Sequence, residues 1–253
     1  MSELVGVRRE GATGVLTLQR GEKLNALSTA LELELQAALD GEEVRTCRCV
    51  IVCGAGRAFS AGADVTELSR DDPAAIAAYY RGTGDVYERI AALPQPTIAA
   101  IHGYCLGGGL ELALALDFRV ADETAVFGLP EVSLGILPSS GGTHRLVRTV
   151  GPARAKELML LRDRFDAEEA LHFGLVTEVV PPGRAEARAL ELAERLASLP
   201  PLAVSVAKEA AHVLAESSRE AGIALERLAY GMLAQTDEAR SAAEGFEPRK
   251  PAS

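Results

Sequence analysis

The apolar positions of this chain fall into short strand-length runs separated by longer stretches of helical periodicity, and their order predicts an α/β domain. Residues 3 to 9 and 14 to 19 read as two strands joined by the turn Glu10-Gly11-Ala12-Thr13, a hairpin. Ser28 then caps an amphipathic run over 30 to 39, and a buried strand follows over 48 to 53. Pro73 opens a helix reaching to about 93, where Pro94 and Pro96 break it ahead of a short strand over 97 to 101. Strand, strand, helix, strand, helix, strand is the order of an α/β fold with crossovers.

The stretch from 110 to 116 is apolar at every position except Glu111, too uniform for a surface helix, and predicts one buried inside the domain. Short strands follow near 118 to 121 and 125 to 127. Beyond Gly141 the pattern turns mainly helical, with one strand at 176 to 180. From Arg184 helical periodicity runs to Glu244, interrupted at Pro200-Pro201. This last region reads as a helical C-terminal part suited to building an oligomer.

Composition narrows the classes of partner. At 253 residues and 48% hydrophobic, the chain can bury a full core without disulfides. Its 36 acidic against 26 basic residues give a formal charge of -10, which repels a phosphate backbone, so nucleic acid is not an expected partner. No apolar run reaches the ~18 residues of a membrane span, so no membrane association is expected. The start, Met1-Ser2-Glu3-Leu4-Val5, has no basic region ahead of a long apolar stretch, so no leader is expected either.

Cys47, Cys49 and Cys53, spaced by even numbers, would share one face of a strand, with Cys105 apart from them. A thiolate metal site would need Cys-x-x-Cys units with further Cys or His. Buried reduced thiols in a cytoplasmic, reducing compartment are the expectation. His102, His144, His172 and His212 show no metal-ligand spacing, and no metal is expected.

Two Gly-rich turns each follow a buried strand: Gly54-Ala55-Gly56-Arg57-Ala58-Phe59-Ser60-Ala61-Gly62-Ala63-Asp64, and Gly103-Tyr104-Cys105-Leu106-Gly107-Gly108-Gly109-Leu110-Glu111. Neither suits a dinucleotide, because Phe59 and Leu112 occupy the third small position of GxGxxG. Both supply backbone N–H groups free of side-chain bulk, and Gly107 to Gly109 open a helix at its positive dipole end, which suits an anion or a developing oxyanion. Either turn alone could simply mark a tight bend. Glu111, in the first turn of the buried helix, and Glu131, 20 residues later in a loop, are candidates for proton transfer. Burial would raise a carboxylate pKa while a helix N-terminus lowers it. On composition alone they could equally be a helix-end acid and a solvated loop residue.

Six strings together resemble the enoyl-CoA hydratase/isomerase (crotonase) family in order and spacing: Asn25-Ala26-Leu27; Ala58 to Asp64; Gly103 to Glu111; Phe127-Gly128-Leu129-Pro130-Glu131; Gly141-Gly142-Thr143-His144-Arg145-Leu146; and Phe246-Glu247-Pro248-Arg249-Lys250-Pro251. The resemblance implies an α/β fold, a crotonase-type spiral of ββα turns over 1–195 with a helical C-terminal trimerisation region over 196–253. It implies a homotrimer or homohexamer acting on an acyl-CoA thioester, with coenzyme A part of the substrate and no other cofactor. The N–H groups of Ala63 and Gly108 would form the oxyanion hole, and Glu111 and Glu131 would be the acid/base pair of an enoyl-CoA hydratase. Lys23, Leu24, Ala61, Asp64, Val65, Gly107, Ser139 and Lys250 would contact the substrate.

Thr66 stands where many relatives have a lysine for coenzyme A phosphates, leaving Arg57 or Lys250 to substitute. Ser139-Ser140 replaces a glycine-richer stretch beside the catalytic water. Competing expectations are another reaction of the same fold (enoyl-CoA isomerase, thioesterase, decarboxylase or dehalogenase) and an RNA-binding relative. Both glutamates speak against the first and the net charge against the second.

Overall fold

A computed structural model describes residues 3 to 67 and 73 to 244. The opening hairpin pairs β1 (Val5–Glu10) with β2 (Thr13–Leu18), antiparallel, from Val5 opposite Leu18 to Glu10 opposite Thr13. From β2 the chain winds in repeating turns of a long buried strand, a short strand, and helix. The strands of the large sheet beyond β2 are β3 (Cys49–Gly54), β5 (Thr97–Ile101), β7 (Phe118–Asp122) and the three-residue β10 (Glu178–Val180). They extend the hairpin into a six-stranded sheet in the order β1-β2-β3-β5-β7-β10, parallel from β2 onward. The short strands are β4 (Ala58–Ser60), β6 (Tyr104–Leu106) and β8 (Val126–Gly128). They form a second parallel sheet, closed by the antiparallel β9 (Phe165–Asp166). Stacking successive turns brings the segments that follow β4, β6 and β8 side by side, although the sequence separates them widely.

Helices fill the layers around the sheets. Ser28 caps α1 (Thr29–Asp40), its side chain accepting from the Leu31 N–H at 3.3 Å. A single turn, α2 (Glu42–Arg45), leads into β3. The long helix expected over 73 to 93 is instead two, α3 (Pro73–Arg81) and α4 (Val86–Ala91), joined by a 3-10 turn over Thr83–Asp85. The break has a packing cause. A Cβ at Gly84 would stand 2.8 Å from the Tyr79 ring, and Gln36 of α1 donates its amide to the Gly82 carbonyl at 2.9 Å.

The buried helix α5 (Gly108–Ala115) has every residue enclosed, as its uniform apolarity demands. α6 (Gly142–Leu160) bends at Gly151-Pro152, α7 (Ala167–His172) carries a capping box, and α8 (Ala185–Ala197) covers the outer face of the large sheet. No described helix is long and apolar enough to cross a membrane.

By internal contacts the chain separates into two compact units, to Ala197 and from Ser198. Within the second, α9 (Pro201–Leu214), α10 (Arg219–Leu233) and α11 (Asp237–Glu244) follow one another, with Ser218 capping α10. The first unit holds two apolar clusters, one on each face of the large sheet. Cys49 and Cys53 alternate with Ile51 on the face under α8. Cys47, expected beside them, precedes the strand and packs into the other cluster with Val50 and Val52. All four cysteines are buried and outside any disulfide.

Candidate active site

The site begins with a buried amide. Leu24 and Asn25 both take positive φ, 52° and 54°, a conformation rare for a residue with a side chain. Asn25 stabilises it by spanning the first Gly-rich turn. Its Nδ2 donates to the Ala55 and Ala58 carbonyls at 2.9 and 2.7 Å, and its Oδ1 accepts from Arg20 N–H at 2.9 Å. The Ala61 N–H donates to the Leu24 carbonyl, which locks the segment carrying Lys23 and Leu24 against the turn carrying Ala61 to Val65.

That locking decides where Ala63 points. Leu27 bonds on either side of it, donating to the Gly62 carbonyl at 2.8 Å and accepting from Asp64 N–H at 2.9 Å. In such a parallel bridge the intervening residue turns its own N–H to the opposite side. Gly108 is the first residue of α5, so its N–H has no acceptor within the helix. A Cβ placed on Gly108 would lie 3.3 Å from the Ala63 nitrogen. The Ala63 nitrogen thus lies close to Gly108, and neither N–H donates to another described residue.

Two carboxyl groups border the same helix end. Glu111 lies in the first turn of α5 and is buried. Its Oε1 accepts from the N–H groups of Ser140 and Gly142 at 2.8 and 3.0 Å, leaving Oε2 without a hydrogen-bond partner among the described residues. Burial pushes the Glu111 carboxyl up to about 7, and the negative charge of Glu131 adds to the rise, while the two N–H donors work against it. Glu131 sits in the 3-10 turn Pro130–Leu134. Gly107, at φ 49°, makes room for it, since a Cβ there would lie 2.7 Å from Glu131 Oε1. Burial raises the Glu131 pKa as well, and its Oε2 is enclosed without a hydrogen-bond partner.

The loop that grips Glu111 is itself pinned. Arg145 donates to the Ser140 carbonyl at 3.0 Å and pairs with Glu88 of α4 at 2.6 Å, and Thr143 donates to the Pro138 carbonyl at 2.8 Å. Sequence reading quoted Arg145 within a family string but gave it no role, and it passed over the buried Glu32. For Glu32 a signal existed: it falls with Ser28, Leu35 and Leu39 on the stripe of α1 that faces the core.

Of the expected site residues, Ala63, Gly107, Gly108, Glu111 and Glu131 assemble around the start of α5. Asp64 and exposed Val65 continue from Ala63. The Asp64 carboxylate accepts from the Thr66 hydroxyl and from Arg20, which hold its pKa at about 2. Lys23 is exposed at the end of a 3-10 turn, and Ser139 meets the Tyr80 hydroxyl. Lys250 lies outside the described residues. Among those described, no group of three or more His, Cys, Asp or Glu is placed to hold a metal ion.

A spiral of ββα turns whose second and third turns bring the Ala63 and Gly108 backbones together beside two buried carboxyls places the protein in the crotonase class of α/β folds. The chain belongs to the enoyl-CoA hydratase/isomerase family, whose model matches residues 8–252. It is 40% identical over 250 residues to the 2,3-dehydroadipyl-CoA hydratase of Escherichia coli, spanning 97% of this chain and 96% of that one. It is 38% identical over 251 residues to a probable enoyl-CoA hydratase of Rhizobium meliloti, spanning 99% and 97%. Among solved structures, an enoyl-CoA hydratase from Bacillus anthracis superposes with a TM-score of 0.89 at 40% identity, covering 96% of this chain and 95% of that one.

Proposed function

We propose that this protein adds water across the 2,3 double bond of an enoyl-CoA thioester. The observation that carries the reading is the pair of unpartnered N–H groups, Ala63 and Gly108, set beside two buried carboxyls with raised pKa values. The thioester carbonyl accepts from both N–H groups. This draws electron density from C3 and stabilises enolate charge on the oxygen, worth several kcal/mol in a water-poor site. A water held between the carboxyls attacks C3 as Glu111 takes its proton, and Glu131 delivers a proton to C2. The enolate collapses to the 3-hydroxyacyl thioester, and one proton exchanged between the carboxyls resets the site.

Coenzyme A, as part of the substrate, runs along Lys23, Leu24, Ala61, Asp64 and Val65, with Gly107 and Ser139 nearer the acyl group and Lys250 a further contact. No other cofactor enters this chemistry. The working form is a homotrimer or homohexamer in the cytoplasm, a location that suits four buried free thiols.

The test is loss of the conjugated enoyl-thioester absorbance across a panel of 2-enoyl-CoAs, with Glu131→Gln beside the wild type. Glutamine keeps shape and polarity but cannot exchange a proton at neutral pH. Its kcat should fall by ~10²–10⁴-fold with binding nearly unchanged. Hydration at the wild-type kcat by Glu131→Gln would remove the mechanism.

A further inference from the structure

Arg145 holds the loop that grips Glu111 at one particular peptide. The Ser140 and Gly142 N–H groups both donate to Glu111 Oε1, at 2.8 and 3.0 Å, and the peptide between them carries the Ser140 carbonyl. That carbonyl accepts from Arg145 Nη1 at 3.0 Å. N–H groups two residues apart converge on one anion when the backbone between them turns, as in an anion-binding nest, and Gly141 at φ 81° supplies the turn. The guanidinium fixes it. Its other arm, Nη2, donates to Glu88 of α4 at 2.6 Å, and a Cβ on Gly141 would overlap both the guanidinium and the Glu88 carboxylate. The Arg145 side chain is 15% exposed and that of Glu88 62%, so the arginine reaches inward from an anchor at the surface.

Charge acts in the same direction as geometry. Glu111 is faced by Glu131 from the Pro130–Leu134 turn, by Tyr87 from α4, its hydroxyl committed to Glu32 of α1, and by Arg145 from α6. Beneath α5, Cys105 of β6 is a buried thiol that donates to the Gly109 carbonyl. Arg119 is spent on the Ala113 and Leu116 carbonyls at the far end of the helix. Burial raises the Glu111 pKa and the Glu131 charge adds to the rise, while the two N–H donors and the Arg145 charge oppose it. Resting on the reading that Glu111 is the base, we propose that Arg145 is its positioning residue: anchored by Glu88, the guanidinium locks the peptide that links the two donors and supplies a positive charge facing Glu111, so that the carboxylate is held aimed and ionised for proton removal.

Arg145→Gln removes both the charge and the two-armed grip. Its kcat should fall by ~10-fold or more with KM within ~2-fold of wild type, and the rising limb of log kcat/KM should move up by ~0.5 pH unit or more. Arg145→Lys keeps the charge, but one ammonium cannot reproduce the fork that grips the carbonyl and Glu88 together. Its limb should return to within ~0.2 pH unit of wild type while part of the loss in kcat remains. A merely structural arginine would lower the amount of folded enzyme and leave the limb in place. A limb unmoved or lowered in Arg145→Gln would therefore overturn the proposal whatever the rate. Should the glutamine variant fail to fold, the lysine variant decides, and a wild-type kcat in it would overturn the proposal.

An NMR titration of protein carrying carboxyl-labelled glutamate reads the same effect without substrate, the Glu111 signal being the one lost in Glu111→Gln. Its midpoint should lie at higher pH in Arg145→Gln than in wild type, and equal midpoints would overturn the proposal. If no enoyl-CoA is hydrated, the hydratase reading fails, and this titration still decides whether Arg145 governs Glu111.

Discussion

Gly142 and Glu111 compete for the same space: a Cβ on Gly142 would stand 2.4 Å from Glu111 Oε1 and 2.3 Å from its Cγ. The glycine lets its own N–H reach the carboxylate at 3.0 Å. Gly142→Ala must push the whole carboxyl away, and a displacement of ~1 Å in a catalytic group costs about 10²-fold in rate. Steady-state kinetics should show kcat reduced by about that factor with KM little changed. A normal kcat would mean that Glu111 need not sit where it is seen.

The pH dependence follows from the same carboxyl. Glu111 acts as the base when ionised, and its pKa is raised to about 7. The log of kcat/KM should rise with pH as Glu111 ionises through about 7 and fall again once Glu131 loses the proton it delivers to C2. The rising limb should vanish in Glu111→Gln. A wild-type rate independent of pH from 5 to 8 would assign proton removal elsewhere.

Stability should move the opposite way. The folded pKa of Glu111 exceeds the ordinary carboxylate value of 4.5, so the folded state binds this proton more tightly than the unfolded one. Its contribution is fully present below pH 4.5 and is lost as pH rises through about 7. Glutamine carries no charge to desolvate and still accepts the two N–H groups. Glu111→Gln should therefore be more stable than wild type at pH 8, by up to ~3 kcal/mol, with the gain shrinking towards pH 4.5. Denaturant titrations at both ends of the range measure it, and equal gains at both would break the link to ionisation.

On α10, Leu228 and Tyr230 are 73% and 75% exposed in the single chain, with Met232 one turn beyond Leu228 at 49%. Large apolar side chains so presented are expected to be covered by another copy. Sedimentation should give a trimer or hexamer at micromolar concentration, and Leu228→Glu should shift it towards smaller species. A wild-type monomer would exclude the assembly proposed.

Much of this was legible before any coordinates. Ser28 as a cap, the opening hairpin and the buried character of α5 follow from short-range preferences, because caps, turns and uniform apolarity act within a few residues. The ββα spiral came from six strings in register with a known family, as did the expectation that the Ala63 and Gly108 N–H groups form an oxyanion hole. Periodicity alone supplied only an α/β order. The single helix expected over 73 to 93 is broken where Gly84 packs against the Tyr79 ring of α3 and the Gly82 carbonyl accepts from Gln36 of α1.

Taken by itself, the sequence determined which groups could do chemistry: which positions lack side chains, which carry carboxyls, and which stretches must be buried. Tertiary structure alone decided what those groups became. Glu111 takes its N–H donors from residues 29 and 31 positions away. Glu32 meets tyrosines 47 and 55 positions away. A pKa and an unpartnered oxygen depend on burial and on neighbours brought together by the winding of the chain, and local sequence preference carries no information about either.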